Sequence, residues 1–115
     1  MVSKATSTQP EAGPQLQAID ASHASLSGDL TLFSVAALVE PGERLIDQAR
    51  GGTWHLDLAQ VTGVSSAAVA LLLDWLRYAT HVGVRLQLQH LPDAMRPIIA
   101  ISDLEMVFDE LELVE

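Results

Sequence analysis

The stretch from Thr53 to His90 constrains the fold more than any other part of the chain. Thr53 to Leu58 alternates, with Trp54, Leu56 and Leu58 set against Thr53, His55 and Asp57, which is the period of a half-buried strand. A turn at Thr62 and Gly63 follows, then Ser65 and Ser66, either of which can cap a helix by accepting a hydrogen bond from an otherwise unpaired backbone N–H. That helix is predicted to run to about Val82, with Gly83 just past its end, where glycine relieves the left-handed turn that ends many helices. Val84 to His90 alternates again, Val84, Leu86 and Leu88 opposite Arg85, Gln87 and Gln89. Strand, helix and strand in a chain of 115 residues imply an α/β fold, a small mixed sheet with helices packed on it.

The flanks extend the pattern. Gln15 to Asp20 and His23 to Ser27, separated by Ala21 and Ser22, predict two strands of a hairpin or meander, the second ended by Gly28 and Asp29. From Phe33 to Arg50, Val35, Leu38, Leu45, Ile46 and Ala49 recur at roughly helical spacing across Pro41 and Gly42. This predicts a kinked or split helix, stopped by Gly51 and Gly52. Leu91, Pro92 and Asp93 open a third helix expected to reach Ser102, and Leu104 to Glu115 reads as a helical turn plus a last short strand. Residues 1–14 are rich in Ser, Thr, Pro and Gly with no apolar h-region, so they read as a flexible N-terminal arm rather than a secretory signal. One domain is expected over 15–115.

Composition narrows the function. Apolar residues make up 49% of the chain and charged ones 18%, enough to build a core. The longest apolar run, Ala67 to Leu73, stops at Asp74, well short of the roughly 18 residues of a membrane span. A formal net charge of -9 repels nucleic acid and anionic lipid at long range and favours a basic protein partner. The six carboxylates between Asp103 and Glu115 read first as a solvated face and second as steering toward such a partner. The absence of cysteine excludes disulfides, thiolate-held metals and thiol catalysis.

Catalytic motifs do not emerge. His23, His55, His81 and His90 show no metal-ligand spacing. Val64 and Ala67 stand where a hydrolase nucleophile elbow around Ser65–Ser66 needs glycines. Gly28 and Gly51–Gly52 lack the pattern of a phosphate loop.

The helix after Ser66 carries two apolar stripes. Val69, Leu72, Leu73, Leu76 and Thr80 lie at core spacing and are expected to face the sheet; Ala67, Leu71, Trp75, Tyr78 and Val82 lie nearly opposite, with Ala70, Asp74, Arg77 and His81 as a polar strip between. The second stripe packs laterally on a neighbouring helix or forms a docking surface, and the Trp and Tyr favour docking. Ser65 and Ser66 stand where a strand feeds a helix, the place where open α/β sheets put functional groups.

L-S-G-D-L (Leu26 to Leu30), D-L-A-Q-V (Asp57 to Val61) and V-S-S-A-A-V-A-L-L-L (Val64 to Leu73) resemble STAS domains, the family of anti-sigma factor antagonists and their relatives. The resemblance covers most of Leu16 to Phe108. Within the family, the A-L-L-L run, D-W-L-R-Y-A (Asp74 to Ala79) and L-P-D (Leu91 to Asp93) look most like the MlaB-type branch, small cytoplasmic subunits of bacterial Mla phospholipid-transport ABC complexes. What this resemblance implies is a SpoIIAA-like α/β fold and a non-enzymatic subunit without a cofactor. Such a subunit binds an MlaF-like ATPase in a complex with MlaE and MlaD, at the cytoplasmic face of the inner membrane. Ser65, Ser66, Ala67, Ala70, Leu71, Asp74, Trp75 and Tyr78 are the expected partner-binding residues. The alternative is an anti-sigma factor antagonist phosphorylated on Ser66. The family pattern of Asp, a hydroxyl residue, a small residue, Gly and Leu falls here on Ser65, Ser66, Ala67, Ala68 and Val69, so Ser65 and Ala68 replace the Asp and the Gly.

Overall fold

The computed structural model describes residues 14–101 and 112–114. All but the last residue of the expected arm, and the helical turn expected after Leu104, lie outside the described residues. The elements are β1 (Gln15–Ala18), β2 (His23–Asp29), α1 (Leu32–Val35), a 3-10 turn (Ala36–Leu38), α2 (Val39–Gln48), β3 (Thr53–Gly63), α3 (Ser66–Val82), β4 (Arg85–Gln89), α4 (Met95–Ile101) and β5 (Glu112–Val114). The five strands form one sheet in the order β1-β2-β3-β4-β5. The first pair is antiparallel and the others are parallel, so the expected mixed α/β sheet is present.

Because each parallel strand adds beside the one before it, and such crossovers are right-handed, every connecting helix falls on the same face of the sheet. Ala24, Leu56 and Leu88 share a row on that face and are buried, as are Leu26, Trp54, Leu58 and Leu86. The alternate row of His23, His55 and Gln87 lies on the opposite face and is only half-buried. No polar or charged residue is fully buried among the described residues.

The β1–β2 turn comes earlier than expected, at Ile19–Ser22 rather than after Asp20, because the Asp20 side chain organises it. Asp20 Oδ1 accepts the Ser22 backbone N–H at 2.8 Å, and that bond, reinforced by His23, lowers the Asp20 carboxyl to about 2. β3 is longer than its alternating core, because pairing with β2 continues to Gly63 through two register shifts. β4 stops at Gln89, since His90 turns the chain with φ 58°.

The helix expected across Pro41 and Gly42 is split, but upstream of them. A 3-10 turn at Ala36–Leu38 separates α1 from α2. Pro41 sits in the first turn of α2, where its missing N–H would have had no intrahelical partner anyway. Gly42 has a different purpose: a Cβ there would clash with the indole of Trp75.

That contact overturns the expected second stripe of α3. Leu71 is 2% exposed and Trp75 0% exposed, both enclosed by this chain. Trp75 Nε1–H donates to Val39 O at 3.1 Å, and its ring meets Trp54 edge-on, centroids 5.6 Å apart. Tyr78 is half-buried, its hydroxyl 2.9 Å from both carboxylate oxygens of Asp47 on α2. At Trp75 and Tyr78 the stripe is therefore a lateral packing face against α2. The first stripe is also narrower than expected: Val69 and Leu72 are buried, Leu73 and Leu76 half-buried, and Thr80 exposed. The helix turns a single broad apolar sector toward sheet and α2 together, centred on Ala68, Leu72, Trp75 and Ala79.

Candidate functional site

The carboxyl ends of β2 and β3 bring two crossover loops together. Leu30 N–H donates to Gly63 O at 3.0 Å. Ser65 caps α3, accepting the Ala67 N–H at 3.2 Å, and its hydroxyl donates to Leu30 O at 3.1 Å. Of the two serines that could cap, Ser65 takes the role and leaves Ser66 exposed as the first helical residue. On the other loop Thr31 and Ser34 form a reciprocal capping box, and Ser34 Oγ–H reaches Asp29 O at 3.2 Å. At Gly63 the Asp29 carboxylate lies against the position a Cβ would take.

This lock sets the first turn of α1 beside the first turn of α3, and the two helices pack on one another. Leu32 is 71% exposed and Phe33 92% exposed, while Ala36, Ala37, Ser66 and Ala70 are also open to solvent. A nearly uncharged apolar corner on a chain of net charge -9 matches the composition of interface centres, which are depleted in charge and enriched in aromatics.

The structure thus divides the expected partner-binding residues. Ser66 and Ala70 are exposed at the corner and Ala67 is half-buried there. Ser65 is committed to the cap. Leu71 and Trp75 belong to the interior and Tyr78 to the α2–α3 contact. Asp74 faces α2, its Oδ2 buried without a hydrogen-bond partner among the described residues. Burial, then the Asp74 carboxyl, then the charges of Glu40 and Asp47 push Glu43 above its ordinary 4.5. The bond to Asp47, ahead of burial, raises Tyr78 above 10.0. Leu32 and Phe33 were missed by sequence reasoning. The available signal was their adjacency: two large apolar side chains in succession cannot both join the stripe that begins at Val35.

Among the described residues no group of three or more His, Asp or Glu is placed to hold a metal ion. No described helix is long and apolar enough to cross a membrane.

Fold and loop geometry define a regulatory or binding module of the STAS type, and the comparisons agree. SpoIIAA, an anti-sigma factor antagonist, superposes in its unphosphorylated form with a TM-score of 0.64 at 18% identity, covering 90% of this chain and 88% of that one. The phosphorylated form of this Bacillus cell fate determinant gives 0.62 at 19% identity, over 90% and 92%. An anti-sigma-factor antagonist domain protein of Planctomyces limnophilus gives 0.67 at 13% identity, over 90% and 92%. No curated protein sequence matches significantly. A family model described as "Mlab, STAS domain" matches residues 16–115, and the chain belongs to that family.

Proposed function

We propose that this chain is a non-enzymatic subunit of a bacterial inner-membrane ABC transporter for phospholipids, which binds the MlaF-like ATPase from the cytoplasmic side in a complex with MlaE and MlaD. The observation that carries the reading is the open corner of Leu32 and Phe33 beside Ser66 and Ala70. An exposed aromatic on a rigid helix start is the kind of side chain that anchors an interface by filling a partner's pocket. The acidic balance of the chain speeds encounter with a basic rim on the ATPase. By binding one ATPase conformation better than another, the subunit shifts the population of the transporter, with a coupling of about 1–3 kcal/mol. Copurification of the ATPase with Phe33→Asp and Ser66→Asp variants tests the surface. Loss of the complex with folded variants supports it, and full retention by both removes it.

The second reading, an anti-sigma factor antagonist, is favoured by one observation: Ser66 is exposed at the first turn of α3. A phosphate there would meet the positive end of the helix dipole. Mass spectrometry of the chain from its host decides it; a phosphoryl group on Ser66 supports this reading, and its absence during growth and starvation opposes it.

A further inference from the structure

The first helix is too short to hold itself. α1 has four residues, Leu32–Val35, and a single turn returns little backbone bonding against the cost of fixing its dihedral angles. Its backbone contributes Ser34 N–H and Val35 N–H to Thr31 O, both at 3.1 Å. Two hydroxyls supply the rest. Thr31 Oγ1 also accepts the Ser34 N–H, at 3.2 Å, and Ser34 Oγ accepts the Thr31 N–H at 2.9 Å. Thr31 Oγ1–H donates to Ser34 Oγ at 3.1 Å. Ser34 Oγ–H reaches Asp29 O, at the end of β2, at 3.2 Å, with Thr31 O at 3.3 Å as the alternative acceptor. A hydroxyl offers one proton and two lone pairs, so Ser34 Oγ is fully used, with two bonds received and one given.

Exposure divides the turn in two. Thr31 and Ser34 are half-buried, as is Val35, which packs against the core. Leu32 and Phe33, between them in sequence, are exposed. The hydroxyls therefore grip the inner side of the turn while its outer side carries the two large apolar residues. The usual capping box closes with Glu or Gln; here serine closes it, and the corner gains no charge.

We propose, resting on the docking reading above, that Thr31 and Ser34 are positioning residues, whose reciprocal hydroxyl bonds hold the α1 turn on the end of β2 and aim Phe33 at the partner. An anchor whose backbone is already fixed loses less freedom on binding. Ser34 Oγ has no bonding position left for a partner, so its contribution runs through Phe33.

Two measurements on the full chain test this. 15N relaxation of the free protein reads the order of the Leu32–Val35 amides, and calorimetry reads affinity for the transporter ATPase. Ser34→Ala and Thr31→Val are expected to lower the order parameters of Leu32 and Phe33 from about 0.85 toward about 0.6. Each is expected to weaken the complex about tenfold, the loss that corresponds to removing a cap. Thr31→Ser, which keeps the hydroxyl, retains both order and affinity, and circular dichroism confirms that each variant is folded. A double-mutant cycle separates positioning from mere stabilisation: Ser34→Ala weakens binding by the parent but not by the Phe33→Ala protein. Equal weakening in both backgrounds, or unchanged order in Ser34→Ala and Thr31→Val, overturns the positioning. A parent chain that binds no ATPase overturns the docking reading instead, and the order measurement then decides alone whether the two hydroxyls hold the turn.

Discussion

Two apolar patches flank α3, and only one of them is open. At its N-terminal end the corner of Leu32 and Phe33 faces solvent; along its flank Leu71 is buried and Trp75 packs against α2. Both patches carry an aromatic side chain, so aromatic content does not separate them. What separates them is whether the chain provides a fitted neighbour. Gly42 leaves a gap for the Trp75 indole and Val39 O accepts its N–H, whereas among the described residues Phe33 stays 92% exposed.

The largest expected effect breaks the enclosed patch. Trp75→Ala removes a buried indole and should cost about 3–5 kcal/mol in urea denaturation; a loss below 1 kcal/mol would mean that α2 does not cover it. Phe33→Asp should leave denaturation within about 0.5 kcal/mol of the parent while costing the ATPase complex about 2 kcal/mol or more, read by calorimetry of the pair. Ser65→Ala deletes both the cap and the link to Leu30 O, and should lower stability by about 1–2 kcal/mol. If stability is unchanged, the two loops are held by their backbones alone.

The smallest effect sharpens the contrast through charge. Glu43 has a folded pKa above its ordinary 4.5, so its contribution to stability is complete below that value and is lost as the pH rises through the folded pKa. Stability of the parent should therefore decline between mildly acidic and neutral pH, and Glu43→Gln should flatten that decline and be the more stable protein at pH 7. Denaturation midpoints measured at pH steps from 4 to 8 check this.

Much of the fold is written locally. The alternation at Thr53–Leu58, the serine cap and Gly83, whose φ of 80° ends α3, are decided by neighbours within a few residues, so β3, α3 and β4 are readable from the sequence. The break at Ala36–Leu38 was misplaced because Pro41 and Gly42 look like helix breakers, while one of them sits harmlessly in a first turn and the other makes room for Trp75. The docking stripe was misplaced for the same reason in reverse. Periodicity shows that a helix has a second apolar side, but which element covers that side depends on the position of α2 across 36 residues of chain between Val39 and Trp75. The exposed start of α3 at Ser66 was legible because a strand-to-helix junction is a local feature; the exposure of Phe33 was not, since it is set by which described elements pack beside it.

The Ser65 hydroxyl ties the loop after one strand to the loop after the next. Together with the Leu30–Gly63 backbone bond it holds the backbones of Leu32, Phe33 and Ser66 in fixed relation, so in the proposed docking a partner spends less of its binding energy on arranging them. On the proposed docking, removing that single hydroxyl loosens the surface without altering a side chain exposed on it.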